Sequence, residues 1–414
     1  MSTPPDQATR SRPNYLEARV APHPQPVYRA LQQQCPAGRM LDGEGPFIFR
    51  YEDTLFALRH PEIFSAEIEV GLIGNQRPLI PLQVDPPRQT KYRKILDPLF
   101  SRKKVLELEP DLRNLANELI DRFADTGSCE FSRDFAVPYP CTAFLRLMGL
   151  PQADLELFLE LKDGIIRPEL NAGSAEEAGR VRDDAGKRTY AYFEEILDSR
   201  SQAPNDDLLS YFLSTEVDGA ALTREEILDI CFLFLIGGLD TVTSTLGCSF
   251  VYLAEHPDRR QQILDRPELI PSAVEELLRW ETPVMQVIRD VKRDCKLGDV
   301  ECKKGERVTL VLGSADVDPG EFPDPERVDF ARSRNRHLAF GSGAHRCLGS
   351  HLARLELQVA LEEFHRRIPH YAIKAGEKPR YKPAIREVSY LPLALGETKR
   401  RQPELTPIVK GGNQ

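Results

Sequence analysis

The chain has 414 residues, enough for a large hydrophobic core, and no Gly/Ser linker, low-complexity segment or internal repeat divides it. A net charge of −9 with 29% charged residues excludes nucleic acid as a partner. Eight cysteines (35, 129, 141, 231, 248, 295, 302 and 347) follow no disulfide framework, which suits a reducing cytoplasm.

Residues 1–24 read as an irregular, proline-rich arm with neither signal peptide nor anchor. The longest apolar run, 230–239, is far shorter than the ~20 residues of a membrane span. A soluble, cytoplasmic protein is therefore expected. A helix follows at 25–34, then a strand-like stretch at 46–51 and a helix at 53–59 stopped by His60-Pro61. Glycines 71 and 74 and prolines 78 and 81 mark 62–84 as a long loop of the kind that often serves function. Asp85 can cap a helix whose first positions are Pro86 and Pro87. On that helix Gln89 and Arg93 share a face and could together hold an anion; a solvated face is the plainer reading.

From 106 to 247 the text is mostly helical. Thr223-Arg224-Glu225-Glu226 is a capping box that opens the longest helix, which runs to about Glu255, roughly 45 Å at ~1.5 Å per residue. Its middle is apolar on all sides, which predicts burial. Inside it lie Gly237-Gly238-Leu239-Asp240-Thr241. Two glycines mid-helix cost about 1 kcal/mol each, and a buried carboxylate costs more unless paired. Local rules broken together point to a functional site, with helix packing as the other reading. Further on, Glu276 and Arg279 lie three apart on one face, the pattern of an exposed ion pair. A basic run, Arg327, Arg332, Arg334, Arg336 and His337, then precedes a glycine-rich loop.

That loop, 340–354, reads Phe-Gly-Ser-Gly-Ala-His-Arg-Cys-Leu-Gly-Ser-His-Leu-Ala-Arg. Its glycines allow positive φ and close backbone approach, and Leu348, Leu352, Leu355 and Val359 start a helix after Cys347. The positive end of that helix is expected to lower the thiol pKa. No second cysteine forms a redox pair, and neither His345 nor His351 completes a zinc pattern. An axial thiolate for haem iron fits better than a nucleophile, with a buried structural cysteine as the bland alternative.

The loop resembles the haem-binding loop of the cytochrome P450 family, Phe-Gly-x-Gly-x-His-x-Cys-x-Gly-x-x-Leu-Ala-Arg, with every specified position filled. The 237–241 stretch is similar to the family's oxygen-activating Ala/Gly-Gly-x-Asp/Glu-Thr, in a form most similar to camphor hydroxylases of the soluble bacterial type, a hint of terpene-like chemistry. Asp85-Pro86-Pro87 is similar to a helix start of bacterial members, although Gln89 stands where His is commoner. All motifs occur in family order, and the resemblance covers roughly 25–400.

The resemblance implies a mainly α fold with a smaller β part (α+β) in one catalytic domain over 25–400, between the arm and a tail at 401–414. Haem b would sit between the long helix and the cysteine loop. Cys347 would be the axial ligand, with Phe340 and Gly349 in its loop; Gln89, Arg93, Arg289 and His345 would hold propionates. Asp240 and Thr241 would deliver protons, Asp240 as a general acid, and Glu276 and Arg279 would support the core. Ile80, Leu82, Leu233, Ile236, Gly237, Val284, Val287 and Ile385 would line an apolar pocket, with Arg77 in its roof meeting a polar end of the substrate. The implied reaction inserts one atom of O2 into an apolar small molecule (terpenoid, fatty acid or steroid-like), with electrons from NAD(P)H through a ferredoxin reductase and a ferredoxin. The ferredoxin would dock on Arg332, Arg334, Arg336 and Arg346 of a monomer. A peroxide-driven peroxygenase and a non-enzymatic haem sensor or electron carrier are the alternatives. The Asp240-Thr241 pair argues against the first, and the lack of an appended signalling domain against the second.

Overall fold

The computed structural model describes residues 15–16, 20–39, 45–382 and 385–399. The tail expected at 401–414 and most of the arm lie outside the described residues. The part of the arm that is described forms no helix or strand and is docked on the fold. Tyr15 is buried, with its ring 5.6 Å from Tyr28 and edge-on to Phe49 at 6.3 Å, and the Ala21 and Pro22 carbonyls accept from Arg386.

The fold is mainly helical with a smaller β part, as expected, and it is built around the long helix. Its capping box forms: the Thr223 hydroxyl accepts from the Glu226 N–H at 3.2 Å, and the Glu226 carboxylate accepts from the Thr223 N–H at 2.9 Å. The helix runs Arg224–Leu239, is interrupted at Asp240, and resumes over Thr241–Glu255. By length and composition Arg224–Glu255 could cross a membrane, and most of it is buried inside the protein. The reading from the 230–239 run underestimated this, because the second half is also apolar.

The two halves of the long helix serve different cores. Phe232 and Leu235 join Leu79, Phe158, Phe193 and Phe212. Leu246 and Phe250 join Leu119, Phe131 and Phe364, where Phe250 stacks on Phe131 at 4.1 Å and meets Phe364 edge-on at 4.8 Å. The break at Asp240 therefore falls where one core gives way to the other.

The β part is a five-stranded mixed sheet in the order Ala37–Arg39, Pro46–Ile48, Arg307–Leu310, Val287–Val291, Phe64–Ser65. It places Arg289 opposite Val308, facing inward. A second small unit, the hairpin of Arg380–Lys382 and Glu387–Tyr390, lies against the second half of the long helix. Val388 packs so closely on Gly247 that a Cβ there would sit 3.0 Å from Val388 Cβ. Between Ser65 and Arg88 no further helix or strand forms, in line with the expected loop. One local expectation fails. Asp85 does not cap the helix Arg88–Leu99, whose N-cap is Pro87 with no side-chain bond. Its carboxylate instead accepts from the Ser65 hydroxyl and the Ala66 N–H.

Candidate active site

The cysteine loop is shaped by two glycines with positive φ, Gly341 at +65° and Gly343 at +70°. At Gly343 a Cβ would lie 2.6 Å from the Leu58 carbonyl, so the loop can rest on the helix Tyr51–Arg59 only with glycine there. The Cys347 N–H donates to the Phe340 carbonyl at 2.8 Å, which closes the loop beneath the thiol. One face of the Phe340 ring is covered by charge. The Arg354 guanidinium lies 4.4 Å over its ring and is itself held by Glu275 at 2.6 and 2.8 Å. Cys347 is the one exposed cysteine of the eight, although it lies deep in the protein. Burial pushes its thiol up, against the Gly349 N–H and the charges of Arg93, Arg346 and Arg354. The expectation of a depressed thiol is thus reversed for the protein alone. The helix begins only at Ser350, so its dipole is too remote to win. Metal coordination would deprotonate the thiol outright.

Beside this loop lie polar groups without partners. Arg289 is 7% exposed, yet its guanidinium bonds only the Ile288 carbonyl, and burial pushes it down to about 10, with Asp85 opposing. The ring of His345 is buried; Nε2 meets Asp85 at 3.2 Å, and Nδ1 has no partner. A buried guanidinium without an ion pair, beside a ring nitrogen without a partner, calls for an anion. Gln89 and Arg93 are placed differently. The Gln89 amide donates to the Ala344 carbonyl at 2.6 Å, and Arg93 donates to the Arg346 carbonyl at 3.0 Å while pairing with Asp97 at 2.8 Å. Both grip the backbone of the cysteine loop. At Gly349 and Gly237 an added Cβ would meet nothing within 4 Å. An accessible thiol, an unpaired guanidinium, an open imidazole nitrogen and two bare glycine faces fit a flat, anionic, metal-bearing group. Among the described residues no cluster of three His, Cys, Asp or Glu offers a rival metal site.

On the long helix the glycine pair divides its work. A Cβ on Gly238 would strike the Phe144 ring at 2.6 Å, so that glycine is there for packing, whereas Gly237 is exposed in mid-helix. The Gly237 carbonyl is not left open, as it accepts from the Thr241 hydroxyl at 3.0 Å. Asp240 is fully buried. Its Oδ1 accepts from Lys162 Nζ and Arg167 Nη1, both at 3.0 Å, and its Oδ2 from Arg167 Nη2 at 2.7 Å. Burial alone would raise the Asp240 carboxyl, but these two cations hold it down at about 2. Around it Glu387 and Asp163 add acidic groups, and Lys382 a further cation. Sequence reading missed Lys162, Arg167 and Glu387. The signal was indirect: a carboxylate in an apolar helix demands cationic partners, without saying which.

Of the residues expected around a pocket, Leu233, Ile236 and Gly237 share the accessible face of the long helix, and Val284, Val287 and Ile385 are half-buried. Ile80 is closed into the core, while Leu82 is exposed. The Arg77 guanidinium pairs with Asp229 at 3.1 Å and lies 4.9 Å from the Tyr190 ring, whose hydroxyl also donates to Asp229. Glu276 and Arg279 form a wholly buried pair at 2.8 Å, not an exposed one, and Arg332, Asn335 and the Asp329 N–H complete the shell of Glu276. This engages much of the basic run. Arg332 belongs to Glu276, Arg334 and Arg336 share Glu321, and His337 meets Glu275. Arg346 stays exposed, near Arg102 and His351.

Comparisons with known proteins agree with this arrangement. The family profile described as Cytochrome P450 matches residues 170–265 and 260–379. Mycinamicin IV hydroxylase/epoxidase of Micromonospora griseorubida is 36% identical over 83% of this chain and 87% of its own. Steroid C26-monooxygenase of Mycobacterium tuberculosis is 33% identical, covering 87% of this chain and 88% of its own. The crystal structure of CYP109E1 from Bacillus megaterium in complex with testosterone superposes with a TM-score of 0.84 at 26% identity, over 91% of this chain and 99% of that one. The complete loop, the shared fold and these relatives lead to one assignment: the chain is a haem-dependent monooxygenase of the cytochrome P450 family.

Proposed function

We propose that this monooxygenase inserts one oxygen atom into an apolar, steroid-sized molecule, using electrons from NAD(P)H carried by a ferredoxin reductase and a ferredoxin. The observation that carries the reading is the accessible Cys347 in a fully matched loop, with Arg289 lacking an ion pair and His345 Nδ1 lacking a partner beside it. When bound, haem would supply the dioxygen and one-electron chemistry. Cys347 Sγ would hold its iron, and Arg289 and His345 Nδ1 would meet its propionates, while Gln89 and Arg93 hold the loop backbone in place. Thr241 presents a hydroxyl that both donates and accepts, next to the charged group at Asp240. Buried apolar residues pack around the helix break, which leaves these side chains as the polar route for protons there.

The steroid-like relatives favour a rigid polycyclic substrate. A fatty-acid carboxylate is less suited, because Asp229 already neutralises Arg77. A fatty acid and its methyl ester should therefore bind alike. An acidic electron carrier finds Arg346 and Arg102 exposed on the face of the cysteine loop. Its docking should weaken with salt.

The test is spectral and catalytic. The reduced carbon monoxide complex should show the strongly red-shifted Soret band of thiolate ligation, and Cys347→Ala should lose it. Steroids should give a low-to-high spin shift and yield hydroxylated product with NADH and a surrogate ferredoxin system. A wild-type protein without that band, or with full turnover after Cys347→Ala, defeats the proposal.

A further inference from the structure

We propose that Glu387 is the carboxyl that stores the transferable proton beside the break in the long helix, with Asp240 as its anionic acceptor. This deepens the monooxygenase reading and rests on it. The geometry separates the two carboxyls. Asp240 receives three charge-assisted hydrogen bonds, from Lys162 and twice from Arg167, and a proton on it would forfeit that set. Glu387 is just as buried but poorly served. Its Oε2 lies 2.8 Å from Arg167 Nη2 and 3.9 Å from Lys162, charge contacts of which neither is a hydrogen bond. Its Oε1 has only Lys382, at 3.4 Å. Two buried carboxyls that share one guanidinium titrate as a pair, and the proton goes to the one with fewer donors.

The surrounding charges leave this assignment intact. Lys162 and Asp163 face the pair from the helix Leu155–Ile166, Arg167 from just beyond it, and Lys382 from the strand opposite Glu387. Cys248 on the second half of the long helix is the other titratable group nearby, and burial pushes its thiol up to about 12, so it stays neutral. Arg386, next in chain to Glu387, is taken by Glu281. Burial, then the Asp240 charge, push the Glu387 carboxyl up, in the sense the geometry requires. Asp240 by itself is too strong an acid to hold a proton for delivery near neutral pH.

The transfer balances. The Glu387 O–H bond breaks and an Asp240 O–H bond forms as Asp240 turns from Arg167 towards Thr241. Arg167, already 2.8 Å from Glu387, then aligns on the newly ionised carboxylate, and Lys162 keeps Asp163 at 3.0 Å, so no buried cation loses its counterion. Glu387 regains a proton from water at the Lys382–Asp163 pair, 3.5 Å apart and each about a quarter exposed. Glu387 is thus a positioning and relay residue that acts through Asp240.

Infrared pH titration of the ferric, substrate-free holoenzyme tests this without turnover. Wild type should show a protonated-carboxyl band at neutral pH that Glu387→Gln removes. In Asp240→Asn the band should persist and titrate at lower pH, because the opposing charge is gone. In turnover, Glu387→Gln should slow oxygen consumption at least tenfold and raise its solvent isotope effect, with the spin-shift affinity for substrate unchanged. A band lost in Asp240→Asn but kept in Glu387→Gln overturns the proposal, as does wild-type turnover in Glu387→Gln. Should that variant misfold, Glu387→Asp and the wild-type titration decide: a band that does not move in Glu387→Asp also overturns it. Failure of the monooxygenase reading would appear elsewhere, as a missing thiolate band in the wild-type carbon monoxide spectrum.

Discussion

Arg289 carries a cost that the Ile288 carbonyl and the charge of Asp85 offset only in part. A guanidinium buried without a counterion is worth several kcal/mol of destabilisation, and its depressed pKa expresses the same cost. An anionic ligand repays it, so Arg289→Met should do two opposite things. Transfer of haem to a scavenging apoprotein should speed up about tenfold or more, while the haem-free protein should resist urea better than wild type. Equal haem-transfer rates would show that Arg289 faces no propionate. Thr241 gives a second case. Its hydroxyl donates to the carbonyl of Gly237, the glycine with the bare face. Thr241→Ala should still consume NADH and oxygen but release most of the electrons as hydrogen peroxide, measured against product. Coupling at the wild-type level would make Thr241 a purely structural residue. Both residues were legible because each belongs to a contiguous motif. Lys162 and Arg167 were not, since they reach Asp240 across 78 and 73 positions of sequence, and a charged helix face looks the same whether it points to solvent or to a buried acid.

At the scale of elements, caps and breakers were readable and partners were not. The Thr223 box is local, four residues that satisfy one another, so it formed as written. Asp85 also had a cap's position, but Ser65, Ala66 and His345, all remote in sequence, offered it more bonds than the helix N-terminus. The pair Gly237-Gly238 shows the same limit. As letters they are equivalent; in the fold one meets Phe144 and the other meets open space. Gly238→Ala should overpack the Phe144 ring and cost about 1–3 kcal/mol. Gly237→Ala should leave stability unchanged or raise it by up to ~1 kcal/mol through helix propensity, while the added methyl alters the substrate-induced spin shift. Urea denaturation of the two variants separates these outcomes, and equal losses would mean that the two glycines share one role.

For the whole molecule, the buried carboxyls set opposing demands on pH. Glu275 is one kind. Burial would raise it, but His337 and Arg354 hold it down at about 2, as Lys162 and Arg167 do Asp240. The stability these two contribute is present above their unfolded values near 4 and is lost as pH falls towards 2. Glu356, on the helix that follows the cysteine loop, is the other kind. It is 4% exposed, has no hydrogen-bond or ionic partner among the described residues, and burial alone pushes it up to about 8. Asp316 follows at about 6, raised by burial against His337 and the Leu338 N–H. Such groups favour the fold while protonated, fully below their unfolded values, and that contribution drains away as pH rises through their folded ones. Stability of the holoenzyme should therefore peak near pH 5 and decline towards pH 8, by an amount on the order of a few kcal/mol from Glu356. Glu356→Gln keeps the shape of the side chain and removes the titration. In urea denaturation followed by circular dichroism at pH 5 and pH 8, the variant should lose markedly less stability between the two than wild type does. A parallel decline in both proteins would show that Glu356 ionises in the fold as readily as in the unfolded chain, and that burial does not hold its proton.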